Sequence, residues 1–153
     1  MTSPRTAALV LAVLAAAVSH AASDWAAHTR AGEYAFAYGQ IERAEKEFAA
    51  ALEIAQSFPP GDRRLETSLE NLARLFEHRS DFDRAQPLYQ LLLAAQEHRL
   101  GPDDPGLLDA LYAVARVSQP MGDLPTAEAS LRRYDAIAAA SGGADPRKWW
   151  QVL

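Results

Sequence analysis

The sequence predicts an all-α fold: three consecutive helix-turn-helix units stacked as a short solenoid, followed by a short C-terminal helix. The first observation is a repeat. Ala44, Ala85 and Ala127 are separated by 41 and 42 residues, and the same spacing relates Gly39, Ser80 and Gly122. It also relates Ile41, Phe82 and Leu124, then Phe48, Tyr89 and Leu131, then His28, Leu69 and Leu111, then Gly32, Ala73 and Ala115. Six columns in one frame mark a chain built of stacked supersecondary units. The second observation is spacing: Leu65, Leu69, Leu72 and Phe76 step by three and four, as one face of a helix does. The third is size. Gly32/Ala73/Ala115 and Ala44/Ala85/Ala127 are columns of the smallest side chains, placed where two antiparallel helices cross closely.

The chain opens with one basic residue, Arg5, then an unbroken apolar run of 12 residues from Ala7 to Val18, then Ser19-His20-Ala21. A basic start, a short apolar stretch and small residues at −3 and −1 predict a secretory signal over 1–21, cleaved after Ala21. The run is short of the ~20 residues a spanning helix needs, so an uncleaved anchor is the second reading. Both readings place residue 22 onward outside the cytoplasm, in the periplasm or the extracellular space. Loss of Arg5 would take the net charge from −5 to −6. The excess of arginine over lysine hints at a GC-rich bacterial genome.

Residues 22–144 hold the three units, at about 24–60, 61–102 and 103–142. In the second, a helix ending near His78 gives way at Arg79-Ser80-Asp81 to a second helix with Phe82, Ala85, Tyr89, Leu92, Leu93 and Gln96 on its apolar face. Asp81 is expected to cap that helix through its carboxylate, and Asp123 to do the same in the third unit. Pro87 removes one backbone hydrogen bond within the helix. Between the second and third units stands "LGPDDPGL", Leu100 to Leu107. Gly101 suits a left-handed helix end, Pro102 stops continuation, and Asp104-Pro105 reads as a cap followed by a first-turn proline. The paired aspartates are therefore punctuation, since a metal would need further ligands converging on them. In the third unit Pro120 is expected to end the first helix early.

The tail "DPRKWWQVL" has Asp145 to cap and Pro146 to start a short helix over 145–153. Trp149 or Trp150 would cover the open end of the last pair, or dock a partner, since tryptophan is enriched in binding hot spots.

Several classes of function are excluded or disfavoured. At net charge −5, with no basic run longer than two, nucleic acid is not an expected partner. With no cysteine, disulfides and thiol chemistry are excluded, and the exported fold must hold by packing. The triplets Glu77-His78-Arg79 and Glu97-His98-Arg99 lack metal-ligand spacing and read as helix-end cations facing the C-terminal dipole. Glu42, Glu45 and Glu47 read as a solvated helix face. No nucleophile elbow or phosphate-binding loop occurs. No catalytic residue, metal ligand or cofactor is expected.

The pattern of a small residue, an aromatic, alanine and an aromatic four residues later resembles the tetratricopeptide repeat. The 42-residue period, "LGPDDP", and "LARLFEHRSDFDRAQPLYQLLL" look more like the longer variant found in kinesin light chains. The likeness spans Trp25 to Gly142, and the second unit matches best. Departures are Ala31 where a large apolar residue is usual, the connector "FPPGDRRL", and a single Asn71 where that variant carries paired asparagines. The resemblance implies a right-handed superhelix whose first helices line a concave groove. In this chain the groove would present Thr29, Glu33 and Phe36, then Glu70, Asn71, Arg74 and Glu77, then Tyr112 and Arg116. Such a surface suits an extended peptide or a partner's helix. The expected function is an exported protein-binding module that is not an enzyme. The alternative is a self-assembling element that forms a homo-oligomer through open repeat ends and the Trp tail, and membrane contact is expected only if the leader stays uncleaved.

Overall fold

A computed structural model describes residues 4–142, with side chains from Val13 onward except Leu14. The C-terminal segment 145–153, including Trp149 and Trp150, lies outside the described residues. Six α-helices and one 3-10 turn are present among the described residues, with no strand. They fall into two compact units, Met1–Pro59 and Pro60–Leu153.

The first unit is a helix pair, α1 (Pro4–Ala37) and α2 (Ile41–Ala55). The apolar leader run and the first repeat helix form one continuous α1. Val13 and Val18 lie on it with 63% and 53% of their surface exposed. Among the described residues no helix is long and apolar enough to cross a membrane. The pair closes where the small columns predicted it would. Ala44 is wholly buried, and Phe48, four residues on, is 3% exposed. A Cβ at Gly32 would lie 2.5 Å from the Phe48 ring, so the bare glycine is what lets the ring pack across. Burying such a phenylalanine contributes about 2–3 kcal/mol. His28 occupies the column filled elsewhere by Leu69 and Leu111. Its Nδ1 lies 2.7 Å from an oxygen of Glu47, which satisfies a polar ring in an otherwise apolar position. Glu47 is therefore not part of a purely solvated face.

The second unit contains α3 (Arg63–His78), α4 (Phe82–Leu100), the 3-10 turn Pro105–Leu107, α5 (Leu108–Ser118) and α6 (Leu124–Ala140). Adjacent helices pack as α3 with α4, α4 with α5, and α5 with α6. Ala73, Ala85, Ala115 and Ala127 are all buried, and so are Tyr89 and Leu131 beside them. A further cluster joins Leu107, Leu111, Tyr134, Ile137 and Ala138, with Leu93 and Leu100 of α4 packed against it.

The turn inside each pair uses one column for one purpose. Gly39, Ser80 and Gly122 have φ of 70°, 57° and 74°, and Ser80 is the only non-glycine with positive φ among the described residues. Asp123 caps α6 as expected, its carboxylate accepting from the amide of Thr126 at 3.3 Å. Asp81 does not cap α4. The residue three positions on is Arg84 instead of the threonine found in α6, and its guanidinium draws the Asp81 carboxylate to 3.7 Å. Arg84 itself lies 3.7 Å over the Phe76 ring. The "LGPDDP" connector behaves as punctuation. Asp104 accepts from the amide of Gly106 at 2.7 Å, and Pro105 opens the 3-10 turn. Gly101 ends α4 at φ 96° and ψ 162°, which needs glycine but is an extended turn, not the left-handed helical end expected. Helix α5 stops at Ser118, before Pro120, also as expected.

Candidate functional site

The expected groove residues fall in both units. On α1, Thr29 is 7% exposed and its buried Oγ1 has no hydrogen-bond partner. Glu33 is exposed and Phe36 half-buried on the same helix. Thr29 is thus too deep to offer a broad contact surface.

In the second unit the first helices are α3 and α5. Glu77 on α3 is the centre of a three-helix network. One of its oxygens accepts from the Tyr89 hydroxyl of α4 at 2.8 Å, and Arg116 of α5 forms an ion pair with the same carboxylate. Burial, and then the hydrogen bond to Glu77, push the Tyr89 phenol well above its ordinary range, so the ring stays a neutral donor. Glu77 and Arg116 are therefore brought together, and they are committed to each other. Arg74, one turn before Glu77, is exposed and makes no hydrogen bond or ion pair among the described residues. Asn71 is half-buried, and its Nδ2 is a buried donor with no partner. Glu70 is exposed. The Tyr112 ring lies 6.4 Å from that of Tyr134, which anchors it to α6. Of the expected groove residues on α3, Glu70, Asn71 and Arg74 are consequently uncommitted. They can recognise a polar backbone or side chain and have no partner arrangement suited to bond-making chemistry.

A cleft of about 340 Å³ opens between α3, the end of α4 and the connector. Its lining includes Glu66 and Arg99, joined as a two-pronged ion pair at 2.6 and 2.8 Å, with Arg63, Glu70 and Asp104 beside them. The sequence reading missed this pair. Arg99 was legible only as a helix-end cation, and nothing in helical spacing marks a partner 33 residues away. The same holds for Gln86, which donates to Ser118 and Asp123 at 2.9 and 2.8 Å and ties α4 to the third pair. Among the described residues no three His, Asp or Glu side chains are grouped to hold a metal.

The tetratricopeptide repeat family model matches residues 64–139. Among solved structures, the chain resembles the TPR domain of FLU from Arabidopsis, with a TM-score of 0.64 and 22% identity over 80% of this chain and 98% of that one. It also resembles a Podospora anserina protein with kinesin light chain nearly identical TPR-like repeats, at a TM-score of 0.60 and 22% identity. That match covers 80% of this chain and 57% of the other. No curated protein sequence matches the chain. Paired helices, buried small columns and the matched segment agree: residues 64–139, which span the second and third helix pairs, carry the tetratricopeptide repeat.

Proposed function

We propose that the protein is an exported binding module, periplasmic or extracellular, that holds a peptide or a helix of another protein along α3 and α5, the first helices of the pairs in its second unit. The fold supports a role in protein–protein interaction, and the leader-like N-terminus supports export. The observation that carries the groove reading is the state of α3. Asn71 keeps a buried donor without a partner, and Arg74 stands exposed and unpaired beside it. A buried donor left unmade costs about 1–3 kcal/mol, and a ligand carbonyl placed over Asn71 would recover that loss.

Arg116 is a poor probe of this surface because its removal would strand Glu77. Arg74 is the clean one. Partners captured from envelope extract by the wild-type protein are expected to be lost with Arg74→Glu and kept with Arg132→Glu on α6. Retention of every partner by Arg74→Glu would remove the groove from consideration.

A further inference from the structure

We infer that the face of α1 centred on Tyr34 is a self-association surface, at which two copies of the chain meet about a two-fold axis. The inference does not depend on the groove, and of the residues expected there it shares only Glu33, which lies at the border of the two faces. Its basis is the repeat frame. In α5, Ala115 packs toward α6 with Ala127 and Leu131. At 100° per residue, Val117 and Ala110 project from the opposite side of α5, whose other packed neighbour is α4. They are 0% and 3% exposed. In α3 the same two positions are Leu75 and Ser68, at 0% and 1%. In α1 they are Tyr34 and Ala27. Tyr34 is 55% exposed, Ala27 is exposed, and Tyr38 is 67% exposed with its ring centroid 4.4 Å from that of Tyr34. A position built to receive a neighbouring helix therefore carries a tyrosine in the open, with the tilted ring of a second tyrosine against it.

The occupant follows from what the chain offers elsewhere. Helix α4 receives α5 with Leu93 and Leu100, and with the amide of Gln86. Forty-two residues on, those places hold Asp135 and Glu128 of α6 and Gly142 beyond its end, with Arg132 paired to Glu128 at 3.1 Å. A charged surface of this kind does not suit a tyrosine face, so head-to-tail stacking is disfavoured. The α1 face does suit itself. Arg30 and Glu33 are both exposed beside Tyr34, and neither forms an ion pair among the described residues. In an antiparallel meeting of two α1 helices, an axis level with residues 31–32 sets each Arg30 beside the other copy's Glu33. Tyrosines supply large rigid contact area around that charge pair.

Sedimentation equilibrium of the purified protein across the micromolar range tests this. The expected result is a monomer–dimer equilibrium that saturates at twice the chain mass, because a two-fold contact closes on itself. Tyr34→Glu should raise the dimer dissociation constant by about tenfold or more, and Tyr34→Phe should leave it near wild type. Arg30→Glu should weaken the dimer and Arg30→Glu/Glu33→Arg should restore it. Glu128→Lys, at an exposed position of α6, should change nothing, and circular dichroism should show unchanged helix in every variant. A monomer at all concentrations, a mass that keeps growing with concentration, or a dimer indifferent to Tyr34→Glu would each overturn the inference.

Discussion

At the level of single residues, Ser80 is the place where sequence and backbone disagree. Its column needs φ near +60°, and glycine serves in the other two turns, whereas Ser80 holds φ 57° with a Cβ. That conformation costs an L-residue about 1–2 kcal/mol, and part of the relief is lost to the greater freedom of glycine in the unfolded chain. Ser80→Gly is therefore expected to raise stability by about 0.5–1 kcal/mol, read as a higher urea midpoint at unchanged slope. A lower midpoint would mean that the serine hydroxyl or Cβ does something the turn geometry does not show. The small columns were readable from sequence because a size constraint repeated at fixed spacing leaves its mark on composition. The Asp81 cap was misread because a capping carboxylate and an Arg84 three residues on compete for one another, and spacing alone does not say which contact wins.

For the helices, the informative groups are the acids at their starts. Asp62 accepts from the amide of Arg64 at 2.9 Å and from its guanidinium at 2.9 and 2.6 Å. The Arg64 guanidinium holds its carboxyl below the ordinary value. Asp123 is likewise held down, first by Thr126 and then by Gln86. Each folded carboxyl thus titrates below its unfolded counterpart, near pH 3.9. Between the two values the unfolded chain binds more protons, so the stabilisation is complete above about pH 5 and fades as acid takes the folded groups through their own titration. In Asp62→Asn/Asp123→Asn the urea midpoint should start lower at neutral pH and fall less steeply from pH 5 toward pH 3. An acid limb as steep as that of wild type would show that other carboxylates govern it. Helix ends of this type were partly legible, as at Asp104 and Asp123. Ties between helices, such as Glu66 with Arg99, were not, because long flexible side chains find partners that no periodicity specifies.

For the whole molecule, the second unit is cross-braced. Gln86 joins α4 to Ser118 and Asp123, Glu77 joins α3 to Tyr89 and Arg116, and Arg133 of α6 bonds both Glu97 and the Pro102 carbonyl. Stacked repeats are stabilised by such nearest-neighbour terms, so these helices should open together in native-state hydrogen exchange. Gln86→Ala should speed exchange in α3 to α6 roughly tenfold while leaving α1 and α2 at wild-type rates. Uniform acceleration everywhere would contradict that division. The all-α architecture was legible throughout from the repeat. The division after Pro59 was not, because the same columns run through both units.

The meeting of Gly32 with the Phe48 ring also limits how freely the repeats can be shuffled. The first pair sets the Phe48 ring against a residue with no side chain, whereas the third sets Leu131 against Ala115. A chimera that laid α2 on α5 would drive a phenyl ring into a methyl group that α1 lacks. The three hairpins share a blueprint, yet each is cut to its own mate.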